Sequence, residues 1–77
     1  VVVLSRSEGF AFPVLEGLAC GAPVVVARGT AQAELAGAAG IAVDAADPAS
    51  VADGLARAVS ERESLRYKGV ERAAQFT

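Results

Sequence analysis

A proline near the start of the chain, Pro13, constrains the fold more than any other single residue. It lies between two runs of apolar, mostly β-branched residues, at 1–4 and 23–27. Its ring fixes φ and removes an N–H, which suits the first position of a helix. The residue before a proline is pushed out of the α region, so we expect a helix from Pro13 to about Cys20. The order strand, helix, strand predicts a βαβ unit in a parallel sheet.

The rest of the chain continues this alternation of strands and helices. Gly21 is expected to end the first helix in the left-handed conformation, and Thr30 and Asp47 are expected to cap later helices. The further expected elements are a short helix to about 36, a strand at 41–43, a helix from 47 to about 59 and a last helix from about 61 to 75. Together they predict an α/β domain.

Hydrophobic spacing assigns a core-facing side to each element. The first two strands are uniformly apolar, so we expect both to be buried on both faces of the sheet. The expected inward residues of the longer helices are Val14, Leu15, Leu18 and Ala19, then Val51, Leu55 and Val59, and finally Leu65, Gly69, Ala73 and Phe76.

The turn before Pro13 has the features of an anion site. In a helix that begins at Pro13, the N–H groups of Val14 and Leu15 have no partner and lie at the positive end of the peptide dipoles. Gly9 and Ala11 are small, so a ligand could approach the backbone of the turn closely. Ligands of parallel sheets bind beyond the carboxyl ends of the strands, where this turn is expected to lie.

Two carboxylates flank this turn and offer a choice of interpretations. Glu8 and Glu16 could accept hydrogen bonds from hydroxyl groups on either side of a bound anion. The alternative is that they are solvated acids near a helix start, which the dipole favours without any ligand.

Composition excludes several classes of function. The 77 residues carry a net charge of −2 with no basic cluster, so no nucleic-acid or membrane-surface partner is expected. No apolar run is long enough to span a membrane. The chain has one cysteine, Cys20, and no histidine, which argues against a disulfide or a zinc site and favours a cytoplasmic setting. Because Val1 already lies in an apolar strand, we expect the chain to be part of a longer protein.

A longer pattern supports the interpretation as a ligand site. Residues 8–25 read E-G-F-A-F-P-V-L-E-G-L-A-C-G-A-P-V-V. This stretch resembles the signature of family-four retaining glycosyltransferases of the GT-B fold, E-G-F-G-x-P-x-x-E-A-x-A-x-G-x-P-V-V. The similarity continues through 33–35, 40–44 and 47–48 to Phe76. The resemblance implies a Rossmann-like parallel-sheet domain, which forms the C-terminal half of such enzymes.

The resemblance also implies a role for each residue of the turn. Glu8 would be the catalytic residue, contacting hydroxyls of the transferred sugar and steadying charge near its anomeric carbon, while Glu16 would bind the ribose of a nucleotide-sugar donor. The implied backbone contacts are Gly9, Phe10 and Ala11 to the sugar and Phe12, Val14 and Leu15 to the diphosphate. The family needs no metal ion or other cofactor, because helix dipole and basic side chains neutralise the leaving diphosphate.

The chain departs from the family pattern in a few places. Ala11 replaces a glycine, Gly17 replaces an alanine, and Ala33 replaces a proline. The family's diphosphate-binding Arg and Lys pair lies upstream of this stretch, and neither Arg6 nor Arg28 is at the corresponding place. The resemblance thus implies a donor-binding domain over 1–77 that is truncated at its N-terminus and ends just short of the family's final helix.

Partners and alternatives follow from this interpretation. The acceptor-binding N-terminal domain of the same protein would be the main partner, and the fragment alone is expected to be inactive. Its exposed sheet edge could associate with a second copy or with the missing segments. A non-catalytic nucleotide-sugar-binding or interaction module remains an alternative. A dinucleotide-binding domain is disfavoured by the absence of G-x-G-x-x-G after the first strand.

Other residues have simpler interpretations. Phe10 and Phe12 could serve packing as well as sugar binding, and Cys20 is expected to be a small buried residue rather than a nucleophile. Glu34 is expected to support a helix start, with nucleotide contact as the alternative. Arg28 is expected to be a surface charge, and Asp44 and Asp47 are expected to be loop and cap residues rather than metal ligands.

Overall fold

The computed structural model describes residues 1–4 and 11–76, with residues 11 and 12 described by their backbone alone. In chain order, its elements are β1 (Val2–Val3), α1 (Ala11–Ala19), β2 (Val25–Ala27), α2 (Ala31–Ala36), a 3₁₀ turn (Gly37–Ala39), β3 (Ile41–Val43), α3 (Pro48–Ser60) and α4 (Arg62–Ala74). The expected order of strands and helices is confirmed for the described part of the chain.

The three strands form one parallel sheet in the order β1, β2, β3. Val2 pairs with Val25, and Val25 pairs with Ile41 on its other side. Because β2 is central, all of its residues are buried, as a parallel strand covered on both faces should be. The α/β fold class is therefore confirmed.

One face of the sheet is covered by three helices, and we call it the closed face. Its core joins side chains from β1, β2, α1, α2, the 3₁₀ turn and α4, namely Val3, Val14, Leu18, Val24, Val26, Ala36, Ala39 and Ala73. α4 packs against α1, and Gly69 makes this possible because a Cβ there would lie 3.1 Å from the carbonyl oxygen of Leu18. The closed face thus holds most of the fully buried side chains.

The opposite face is covered by α3 and by Leu65 of α4, and we call it the half-open face. Its core consists of Val25, Ile41, Val43, Ala58 and Leu65, with Leu4 and Val51 packed against it. α3 approaches the sheet closely because Gly54 has no side chain at the point where it meets Val43. α3 packs on β3 and β2, whereas Val2 of β1 remains 51% exposed.

Local signals in the sequence predicted several boundaries correctly. Thr30 caps α2 by accepting a hydrogen bond from the Ala33 N–H, and Asp47 caps α3 through the Ala49 N–H. Gly21 adopts a φ of +76° after α1, as expected of a left-handed C-cap.

The predicted start of α1 is wrong. The helix begins at Ala11, so Pro13 is its third residue rather than its first. The first four N–H groups of any helix have no partner within it, so a proline is tolerated throughout the first turn. Leu15 is consequently the fifth helical residue, where an N–H pairs with the carbonyl four residues earlier.

Several predicted core faces are also wrong. Ala19 is exposed and Leu15 is half-buried, while the exposed fractions of Leu55, Val59 and Phe76 are 42%, 71% and 48%. The small residues of α3 face the sheet, so its larger residues lie at the edge of the contact between α3 and the sheet. β1 is not buried on both faces, because no described element covers it on the half-open face.

Candidate functional site

The carboxyl ends of the three strands meet at one edge of the sheet, as parallel strands require. A cleft of about 650 Å³ lies there. It is lined by Leu4 directly after β1, by the last residue of β2 and the two that follow it, and by the three residues after β3, namely Ala27, Arg28, Gly29, Asp44, Ala45 and Ala46. Crevices in this position are the usual ligand sites of open parallel sheets.

The turn after β2 forms one wall of this cleft and is held by short hydrogen bonds. The Arg28 N–H donates to the Val43 carbonyl oxygen at 2.7 Å, which ties the turn to β3. The Thr30 hydroxyl donates to the Ala27 carbonyl oxygen at 2.7 Å and also caps α2. The backbone at Arg28 is thus fixed at both sides, while its side chain is exposed at the cleft.

The loop after β3 forms the opposite wall. Asp44 accepts a hydrogen bond from the Ala46 N–H at 3.0 Å, and its own N–H donates to the Ser50 hydroxyl at 2.9 Å. Asp47 accepts from the Ala49 N–H at 3.0 Å. Both carboxylates therefore organise the loop and the start of α3, which confirms their interpretation as loop and cap residues.

The predicted donor-binding residues lie between β1 and the second turn of α1. Glu8, Gly9 and Phe10 lie outside the described residues. Ala11 and Phe12 are the first two helical residues. The chain leaves β1 at the cleft, because Leu4 lines it directly before this stretch.

The remaining predicted residues occupy the first two turns of α1. The Val14 side chain is fully buried on the closed face, so its side chain anchors the helix and leaves only its backbone for a ligand. Leu15 is half-buried, and Glu16 is exposed. The Glu16 carboxylate is therefore accessible to a ligand bound near the helix start.

Two residues differ from what sequence reasoning assigned to them. Arg28 is exposed, as expected, but it also lines the cleft, because the fold brings the turn after β2 beside the ends of β1 and β3. Cys20 is exposed rather than buried, because it lies just beyond the last turn of α1. It borders a depression with Arg62 and Arg66, apart from the cleft residues.

Within residues 1–4 and 11–76, no cluster of three histidine, cysteine, aspartate or glutamate side chains is arranged to bind a metal ion. In the same part of the chain, every helix is too short or too polar to cross a bilayer.

The chain is similar to known proteins over nearly its whole length. The family model described as "Glycosyl transferases group 1" matches residues 1–76. The chain is 43% identical to a D-inositol 3-phosphate glycosyltransferase of Frankia alni over 99% of the chain and 20% of that protein. It is 33% identical to the O-antigen chain mannosyltransferase B of Escherichia coli over 91% of the chain and 19% of that protein.

A D-inositol 3-phosphate glycosyltransferase of Thermobifida fusca is 38% identical over 95% of the chain and 18% of its own length. No solved structure matches the chain. The chain thus spans about a fifth of the length of the curated relatives that it matches. Because the family model covers all but the last residue, the chain belongs to the group 1 glycosyltransferases.

Proposed function

We propose that residues 1–77 are the donor-binding portion of a retaining glycosyltransferase that transfers a hexosyl unit from a nucleotide sugar to an acceptor. The portion would belong to the C-terminal domain of a GT-B enzyme, truncated at its N-terminus and just short of the final helix. An N-terminal domain of the same protein would bind the acceptor. A cytoplasmic location is part of the proposal, since the exposed thiol of Cys20 persists in a reducing compartment.

One observation carries this proposal. The stretch with the two glutamates follows Leu4, which lines a cleft at the carboxyl ends of all three strands, and it ends within α1. A nucleotide bound there would meet the start of α1, whose dipole favours a diphosphate. The match to the glycosyltransferase model over residues 1–76 supports a nucleotide-sugar donor as this ligand.

In the proposed site, Glu8 contacts the transferred sugar and stabilises charge that develops near the anomeric carbon. Gly9, Phe10 and Ala11 present their backbone to the sugar. Glu16 accepts hydrogen bonds from the ribose hydroxyls, for which its exposed carboxylate on the second turn of α1 is available.

The diphosphate would bind at the start of α1. The proposed contacts involve the backbone at Phe12, Val14 and Leu15. Since Leu15 is the fifth residue of α1, its N–H pairs within the helix, and Leu15 contributes chiefly through the aligned dipole of the helix. The exposed Arg28 guanidinium at the cleft adds positive charge to this end of the sheet.

The proposed reaction uses no metal ion or other cofactor. Charge on the leaving diphosphate would be neutralised by the helix start and by basic side chains. Transfer of a hexosyl unit is supported by the E. coli relative, which is named as a mannosyltransferase. The inositol phosphate relatives indicate that acceptors differ within the family.

The roles of the two glutamates can be separated by substitution in the full-length protein. Glu16→Ala is expected to weaken the affinity for the donor nucleotide by about 10-fold or more, since a hydrogen bond to a charged group contributes roughly 1.5–3 kcal/mol. Glu8→Ala is expected to lower kcat with little change in nucleotide affinity. Calorimetric titration with a nucleoside diphosphate and steady-state kinetics with the nucleotide sugar measure the two effects.

Glu63→Ala is the matched control, because Glu63 is an exposed acid on α4 that borders the depression around Cys20. It should change neither quantity. An unchanged nucleotide affinity in Glu16→Ala would show that Glu16 does not contact the ribose. Donor binding without any transfer by the intact protein would instead favour a non-catalytic binding module.

A further inference from the structure

Two side chains of opposite charge lie next to each other at the cleft, on the turns that follow β2 and β3. Ala27 pairs with Val43 in the parallel sheet. The residues that follow them, Arg28 and Asp44, therefore lie side by side just beyond the carboxyl edge of the sheet. Both are exposed, and both line the cleft of about 650 Å³.

These two side chains do not neutralise each other. Asp44 Oδ1 accepts a hydrogen bond from the Ala46 N–H at 3.0 Å, which fixes this carboxylate in its own loop. The Arg28 guanidinium forms no ion pair or hydrogen bond with Asp44 or with any other described residue. Its backbone is nevertheless held in place, since the Arg28 N–H donates to the Val43 carbonyl oxygen at 2.7 Å. Within the described part of the chain, the turn thus presents an unpaired guanidinium on a fixed backbone.

An unpaired arginine at a cleft is suited to an oxyanion. Its planar guanidinium can donate two parallel hydrogen bonds to one phosphate group. Gly29 has a φ of +78° and open space where a Cβ would lie, so a phosphate could also approach this backbone closely. The neighbouring Asp44 carboxylate could accept hydrogen bonds from hydroxyl groups. The pair therefore fits a ligand that carries both a phosphate group and hydroxyl groups.

The position of the pair separates it from the proposed donor contacts. Those contacts all lie within residues 8–16, between the end of β1 and the second turn of α1. Neighbouring strands lie about 4.8 Å apart, so the ends of β2 and β3 are roughly 5 and 10 Å from the end of β1. A ligand bound at Arg28 would thus lie beside the donor along the edge of the sheet, rather than in its place.

We propose that Arg28 binds a phosphate group of the acceptor, so that the enzyme prefers an acceptor that is phosphorylated and polyhydroxylated. This inference rests on the proposed function, because it needs a donor sugar at residues 8–11. The reacting hydroxyl of the acceptor must meet the anomeric carbon of that sugar, and the phosphate end of the acceptor extends along the cleft toward β2 and β3. The N-terminal domain would bind the remainder of the acceptor.

The donor diphosphate is a less suitable ligand for Arg28. Its two negatively charged groups would face the Asp44 carboxylate, and like charges at this distance repel each other. An acceptor with a single phosphate group can place that group on Arg28 and a hydroxyl group on Asp44. The charge pattern therefore favours the acceptor.

Inorganic phosphate is a probe for this subsite in the full-length protein, because its use does not require the acceptor to be known. The protein is first saturated with whichever of UDP, GDP and ADP it binds best, which occupies the donor site. Phosphate is then titrated at constant ionic strength, and its binding is measured by calorimetry. We expect Arg28→Gln to weaken phosphate binding by about 10-fold or more, and Arg28→Lys to retain part of it, because lysine keeps the charge without the planar fork.

Arg57→Gln is the matched control, because Arg57 is an exposed arginine on α3 that does not line the cleft. It should leave the phosphate affinity unchanged. Equal phosphate affinity in the wild-type protein and Arg28→Gln would overturn the proposal, and so would the absence of phosphate binding by the wild-type protein.

Titration of the same variants with the nucleotide alone separates the acceptor from the donor. We expect Arg28→Gln to change the nucleotide affinity by less than about 3-fold, since salt screens a charge that does not touch the diphosphate. A loss of about 10-fold or more would assign Arg28 to the donor diphosphate and overturn the proposal. If the wild-type protein bound none of the three nucleotides, the proposed function would fail, and this inference would fail with it.

Nucleotide binding together with a negative phosphate result would contradict this inference alone.

Discussion

The two faces of the sheet differ in how completely this chain covers them. On the closed face, the side chains of Val14 and Leu18 are 0% exposed and lie against the sheet and α4. On the half-open face, Val2 and Val59 keep half or more of their side-chain surface exposed. The closed face therefore has a continuous core, whereas the core of the half-open face is limited to the area where α3 and Leu65 meet the sheet.

The helix contacts explain this difference. Gly69 lets α4 lie against the backbone of α1, and α2 closes the remainder of that face, so three helices share one side of a three-stranded sheet. On the other side, α3 approaches two strands closely at Gly54, and α4 contributes Leu65 to the core. Burial of apolar area should therefore contribute more to the free energy of unfolding on the closed face than on the half-open face.

The largest expected effect comes from the core of the closed face. Leu18→Ala should lower the free energy of unfolding by about 2–5 kcal/mol, because the surrounding helices and strands cannot collapse fully into the cavity. Val70→Ala, at a residue 46% exposed on α4, should cost less than about 1 kcal/mol. Denaturant titration followed by circular dichroism measures both, and equal losses would contradict the assignment of the core to this face.

The close approach of α3 on the half-open face can be tested by adding one methyl group. Gly54→Ala should destabilise the protein by roughly 1–2 kcal/mol, since overpacking against Val43 outweighs the higher helix propensity of alanine. The sign of the change in the free energy of unfolding is the decisive result. A stabilised variant would show that α3 is free to move away from the sheet.

A smaller effect is expected where α4 meets the end of α2. The Arg72 guanidinium donates to the carbonyl oxygens of Leu35 at 2.8 Å and Glu34 at 3.0 Å, and its position over the Phe76 ring adds a cation–π contact. Arg72→Ala should cost about 1–2 kcal/mol, measured by the same denaturant titration. Arg72→Lys should recover only part of this, because one ammonium group cannot reproduce the planar fork.

The smallest expected effect provides the control for Arg72. Arg57 and Glu61 form an exposed ion pair at 3.0 Å, one turn apart on the helical surface. Arg57→Ala should cost about 0.5 kcal/mol or less, and 1 M salt should remove even this difference. An effect as large as that of Arg72→Ala would mean that charge rather than capping of α2 explains the Arg72 result.

Sequence reasoning predicted the features that depend on local chemistry. The caps at Thr30 and Asp47 and the turn at Gly21 were correct, because a side chain or a φ angle determines each of them within a few residues. The start of α1 was wrong because the proline rule allows any position in the first turn. The inward face of α3 was wrong because spacing identifies large apolar residues, whereas Gly54 and Ala58 make the closest approach to the sheet.

The candidate site could be predicted from the sequence only in part. The motif with two glutamates predicts a site at the junction of β1 and α1, and Glu16 is exposed on α1. The cleft was not predictable, because residues from the ends of all three strands form it together. Arg28 gained a place at the site only when the fold brought its turn beside Leu4 and Asp44.

Hydrogen exchange of the full-length protein, with and without UDP, GDP or ADP, tests whether the junction of β1 and α1 binds the donor nucleotide. We expect one nucleotide to slow amide exchange within residues 8–16, while a peptide from α4 exchanges at an unchanged rate. That result would establish the junction of β1 and α1 as the donor site and would identify the base. Saturating nucleotide binding without any change in exchange within residues 8–16 would exclude this junction as the donor site.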